Sequence, residues 1–202
     1  MTEQEIVEKV IEAMGRISQY NFDDDDLYSV AQKLGCKCAN GVTRMALIFP
    51  SLGKVIKFPY GSHDCCAQEV ESYKSAVEHR VEKLLLPIEK CGVSKGGIPL
   101  YIQPMYQLAV DGLSRADYEK IRKLTRKTTN FEIIKRIERG YYYIPNREWT
   151  MRATQLYGKK FMRSFEEWTQ KFRVNDLHGG NVGYLKGYRP VLIDYAGYRN
   201  FW

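Results

Sequence analysis

The chain has 202 residues, 44% hydrophobic and 27% charged, a globular composition that excludes collagen-like, low-complexity and disordered classes. Its formal charge is +7, and no apolar run approaches the about 20 residues needed to cross a bilayer, so no membrane partner is expected. The cations between positions 119 and 139 alternate with acids, the pattern of a solvated helix face, and nucleic acid is not the expected partner either.

Residues 3–14 place Ile6, Val10, Ile11 and Met14 at helical spacing. This acidic, helix-patterned start does not read as a leader, so a cytoplasmic protein is expected. The acidic run 23–26 either caps a second helix over 27–33 or forms a solvated loop, and the loop is the preferred reading. Gly35, Asn40 and Gly41 punctuate another loop. Strands follow over 42–49 and 54–59, joined by a turn at 50–53 into a hairpin. After a break at 61–64, residues 65–79 read as a helix that packs Val70, Tyr73 and Val77. Residues 84–91 and 98–105 read as two more strands around a Gly-rich turn.

The second half changes character. A helix over 114–127 opens on Ser114 with Asp117 three residues on. Residues 131–139 and 147–171 are also helical in pattern, and 172–197 return to short strands and loops. Strands with one helix first, helices second, predict an α+β chain of two lobes, 1–105 and 106–202. Among the cysteines, Cys36, Cys38, Cys65, Cys66 and Cys91, there is no Cys-x-x-Cys, and the histidines are scattered. A metal site on the first four has poor spacing, and reduced structural thiols are the expectation.

The chemistry concentrates near the end, in Asp176-Leu177-His178-Gly179-Gly180-Asn181 and, 13 residues after Asn181, in Asp194. Phosphoryl transfer needs a carboxylate to orient the attacking hydroxyl and separate oxygen ligands to hold Mg²⁺ against the phosphates. Asp176 and Asn181 sit five apart on one tight loop, and Asp194 ends an apolar strand that can reach the same metal.

This pattern, with Asp194-Tyr195-x-Gly197, resembles the catalytic loop and metal motif of the protein-kinase-like superfamily. The Asp-Leu-His-x-x-Asn wording is also similar to aminoglycoside- and choline-type phosphotransferases. The resemblance implies Asp176 as catalytic base, Asn181 and Asp194 as Mg²⁺ ligands, and ATP as cofactor. It extends upstream: Lys54-Val55-Ile56-Lys57-Phe58 is similar to the Val-Ala-Ile-Lys strand, with Lys57 for the phosphates and Val55 over the adenine. The following helix offers Glu69 or Glu71 to pair with Lys57, Glu69 being preferred. Gly35, Asn40 and Gly41 would cover the phosphates, although the middle glycine of the family pattern is missing. Gln103 and Met105 would offer backbone groups to the adenine edge.

The implied fold is a two-lobed kinase-like one, with a small antiparallel-sheet N-lobe carrying one key helix and a reduced, mainly helical C-lobe. Val174 and Asn175 replace the usual His and Arg, and only eight residues follow Asp194, leaving no room for an activation segment. The resemblance is therefore to compact kinase-like proteins of bacteria and phages and to secreted effectors, for which delivery into a host cell is the alternative location. Residues 131–149, with Tyr141, Tyr142 and Tyr143, are a candidate contact surface or part of the core. A minimal protein kinase acting on Ser or Thr before Tyr is the expected function. A small-molecule phosphotransferase and a nucleotide-binding pseudokinase are the alternatives.

Overall fold

A computed structural model describes residues 2–41, 43–61, 64–109, 113–128, 135–136, 142–143, 147–172, 174 and 179–195. Contacts within the chain group it into two units, one of residues 1–70 and 87–105, the other of 71–86 and 106–202. The chain is α+β, with a five-stranded antiparallel sheet in the first unit and five helices among the described residues.

The first unit opens with α1 (Glu3–Met14) and α2 (Asp24–Leu34). Each begins with a capping box: Thr2 and Glu5 satisfy one another's backbone N–H at α1, Asp23 and Asp26 at α2. The acidic run is thus the start of a helix rather than a loop, because carboxylates are stabilised by the unpaired N–H groups and positive dipole end of a first turn. The sheet follows in the order β1 (Lys37–Asn40), β2 (Arg44–Phe49), β3 (Lys54–Pro59), β5 (Pro99–Pro104), β4 (Glu89–Val93). β1, where the sequence suggested only a loop, is a largely exposed edge strand held by its pairing with β2.

Register gives this sheet two distinct faces. Met45 lies opposite Phe58, and Leu47, Ile56 and Ile102 line up across three strands. These side chains close a core with Ile6, Val10 and Met14 of α1 and Leu27, Val30 and Ala31 of α2. The other face carries Ala46, Lys57 and Tyr101 in one row and Ile48, Val55 and Gln103 in the next. A slip of one residue would drive Lys57 into the apolar core, so burial of the Ile56 face fixes the position of the lysine.

Helix α3 (Cys65–Glu78) follows β3. Its buried positions are Cys65, Cys66, Glu69, Ser72 and Ala76, whereas Val77 is 48% exposed. The expected Val70–Tyr73–Val77 packing face is therefore corrected. Small side chains and a glutamate are the buried ones instead, and Glu69 is buried because Lys57 and Arg44 pair with it.

In the second unit α4 (Arg115–Thr125) starts at the Ser114 cap, which accepts from the Asp117 N–H. α5 (Arg147–Lys171) is interrupted at Gly158, where φ is 81° and ψ is 160°. β6 (Gln107–Leu108), β9 (Val182–Leu185) and β10 (Arg189–Leu192) form a three-stranded antiparallel sheet with β9 in the middle. Trp149 at the start of α5 donates its indole N–H to the Gly183 and Val191 carbonyls, at 3.2 and 3.3 Å, pinning the helix to the β9–β10 hairpin. Lys135–Arg136 and Tyr142–Tyr143 pair as strands β7 and β8, so the first pair is not helical as expected. The remainder of 131–146, including Tyr141, lies outside the described residues.

Candidate functional site

The first unit assembles a polar cluster on the sheet face opposite its core. Glu69 enters it from the second turn of α3 and is fully buried. Its Oε2 meets the Lys57 ammonium at 3.3 Å and its Oε1 meets the Arg44 guanidinium at 2.8 Å. A buried carboxylate costs several kcal/mol unless paired and hydrogen-bonded, and two cations from adjacent strands meet that requirement. Glu71, the other candidate, lies on the surface beside Lys74 at 2.8 Å.

The head of α3 is fixed by Asp64. One of its carboxylate oxygens accepts from the Ala67 N–H at 2.9 Å, and the other accepts the Tyr101 hydroxyl at 2.6 Å. Tyr101 and Lys57 are direct cross-strand partners, so one row of the sheet holds both the lysine and the anchor of the helix that supplies its glutamate. Burial, then the bond to Asp64, raises the Tyr101 phenol far above its ordinary range. Beside this anchor, a hydrogen bond from Cys66 pulls the Cys65 thiol down to about 5, with the Arg44 charge assisting and burial opposing. The same hydrogen bond, together with burial, pushes Cys66 up.

The residues expected to contact a nucleotide fall into two groups. Val55 and Gln103 are buried partners on the Lys57 face, and among the described residues the Gln103 Nε2 has no hydrogen-bond partner. The others are engaged elsewhere. Gly35 is the left-handed C-cap of α2 and donates its N–H to the last turn of that helix, a conformation only glycine adopts cheaply. The Asn40 amide donates to Asp24 at 2.8 Å, and the Gly41 N–H donates to the Arg44 carbonyl at 2.9 Å. The Met105 N–H, expected at the adenine edge, donates to the Gly53 carbonyl at 2.7 Å.

In the second unit the β9–β10 hairpin brings Asn181 and Asp194 together. Val182 pairs with Leu192, and the Ile193 N–H donates to the Asn181 carbonyl at 3.0 Å, so Asp194 follows the residue that faces Asn181. Val191 and Ile193 are buried with Leu86, and the Tyr195 hydroxyl donates to the Leu86 carbonyl at 2.6 Å. Asp194 is thus held between two buried neighbours. Asp176, with His178 and Gly197, lies outside the described residues.

The donor chemistry fits the groups the sequence implies. A carboxamide at Asn181 and a carboxylate one residue past its cross-strand partner offer the hard oxygen ligands that Mg²⁺ takes, and a buried ammonium suits phosphate. Among the described residues no group of three or more His, Cys, Asp or Glu forms a metal cluster. Sequence reasoning missed Arg44, Asp64 and Tyr101. Asp64 carries a signal, an N-cap residue directly before a helix; Arg44 and Tyr101 carry none, because only cross-strand register gives them their roles.

No family model, curated protein or solved structure matches the chain.

Proposed function

We propose that the chain is an ATP- and Mg²⁺-dependent phosphotransferase, acting on a protein hydroxyl with Ser or Thr preferred to Tyr. The observation that carries this reading is the buried Lys57–Glu69 pair at 3.3 Å. A lysine is rarely buried without a task, and this one stands beside Val55 and Gln103 on a face kept apart from the apolar core. In this reading the Lys57 ammonium binds the α- and β-phosphates, with Glu69 orienting it. The Asn181 and Asp194 oxygens hold the metal, and Asp176 orients the acceptor hydroxyl and takes its proton. Bound Mg²⁺ neutralises charge on the transferring phosphate.

The second reading is a nucleotide-binding module without turnover; in both readings the Met105 N–H, bonded to the Gly53 carbonyl, is not the group that meets the base. The two separate on incubation of the purified chain with γ-labelled ATP and Mg²⁺, with Asp176→Ala and Asp194→Ala as controls. The phosphotransferase reading expects label on protein from the unaltered chain and at least a hundredfold less from either variant, the usual scale for losing an acid–base or charge-stabilising group. Equal labelling by all three sinks the site assignment. Mg²⁺-dependent binding of ATP without transfer to protein or small hydroxyl acceptors favours the module.

A further inference from the structure

Glu69 is held by two cations, and they are not equivalent. Arg44 reaches Oε1 at 2.8 Å from β2, and Lys57 reaches Oε2 at 3.3 Å from β3. On the antiparallel ladder Arg44 lies two residues from Ala46, the direct partner of Lys57, so both side chains rise from one face and converge on one carboxylate. A lysine that alone neutralised Glu69 could turn toward phosphate only by leaving a buried carboxylate unpaired, which is strongly unfavourable. A guanidinium that stays charged at every relevant pH and already grips the other oxygen removes that obstacle.

We infer that Arg44 is a positioning residue: it holds Glu69, and with it the first turns of α3, and so leaves the Lys57 ammonium able to move to a polyphosphate. The inference rests on the reading of Lys57 as the phosphate-binding lysine only in its last step. The division of labour between the two cations stands on the geometry alone. It explains why an arginine opens an otherwise apolar strand on the face shared with Lys57, opposite the one that meets α1 and α2.

Amide hydrogen exchange over residues 66–70 tests the first part, in the full chain and in Arg44→Gln, Arg44→Lys and Lys57→Met. Because Lys57 still pairs with Glu69 when Arg44 is replaced, Arg44→Gln is expected to fold. Its α3 amides should exchange about tenfold faster, as expected for losing one charge-assisted hydrogen bond. Arg44→Lys should recover part of that protection, and Lys57→Met should leave exchange near that of the unaltered chain. Exchange that rises as much in Lys57→Met as in Arg44→Gln overturns the inference, as does unchanged exchange in Arg44→Gln.

Calorimetric titration with Mg·ATP and with inorganic tripolyphosphate tests the second part. Arg44→Gln should bind both about tenfold more weakly, with Arg44→Lys intermediate. Undiminished affinity in Arg44→Gln overturns that part. If the unaltered chain binds neither probe, the nucleotide reading and the release of Lys57 fall together, while the exchange result still decides whether Arg44 or Lys57 holds Glu69.

Discussion

The thiols of this chain differ by their surroundings. Burial pushes Cys36 and Cys91 up to about 11, and Cys66 is raised by its bond to Cys65 as well as by burial. Cys65 moves the other way, to about 5, because Cys66 donates to it and the Arg44 cation stands beside it. A thiol depressed in the folded state contributes stability that is complete above its unfolded value near 9 and is lost as pH falls through about 5. The melting temperature of the unaltered chain should therefore exceed that of Cys65→Ser by a margin that shrinks steadily from pH 9 to pH 5. A margin independent of pH would show that Cys65 stays a neutral thiol. The same cluster shows what a sequence conceals at this scale: Lys57 and Glu69 are legible as types in a strand and the helix after it, but Arg44 is distant in sequence from the helix and joins them only through strand register.

Elements here are decided by their ends and by the surfaces they meet. Apolar spacing in α1 and the continuous apolar content of β3 were legible, and β3 keeps the bounds Lys54–Pro59 that the sequence suggests. Helix α3 was legible as a helix but not in orientation, since its buried side is built from Cys, Ser, Ala and Glu. Asp23 should be worth about 1 kcal/mol as a cap, so Asp23→Ala should lower the urea midpoint without changing the slope. Gly96 is more demanding. A Cβ there would lie 1.8 Å from the Ile17 carbonyl oxygen, a backbone atom that cannot swing aside. Gly96→Ala should cost several times as much as Asp23→Ala, in the range of about 2–4 kcal/mol typical of severe overpacking. Comparable midpoints for the two variants would mean that the loop relaxes freely.

Across the whole molecule, charge is divided unevenly. The second unit holds 22 of the 31 lysines and arginines and 13 of the 24 acids, so it carries +9 while the first carries −2. The overall value of +7 hides this division. Exposed Arg122, Lys123, Arg126 and Lys127 lie on and just after α4. Charges more than about 10 Å apart are screened at 0.1 M salt, so retention on a cation exchanger reports local density rather than net charge. Replacing Arg122, Lys123 and Arg126 by Gln should therefore lower the eluting salt concentration clearly more than replacing Lys9, Lys33 and Lys37. Equal shifts would show that the basic residues act as a diffuse total. No described helix is long and apolar enough to cross a membrane.

What the sequence alone determined is whatever depends on near neighbours: the α+β class, the β2–β3 hairpin and the helix after β3. These follow from periodicity, turn residues and short motifs, which act over a few residues. Tertiary structure decided the partnerships. It gave Glu69 two cations, set Tyr101 on Asp64, brought Asn181 beside Asp194 across a hairpin, and committed Gly35, Gly41 and Met105 to internal hydrogen bonds. Such pairings depend on strand register and burial, which are settled by contacts between segments far apart in the chain.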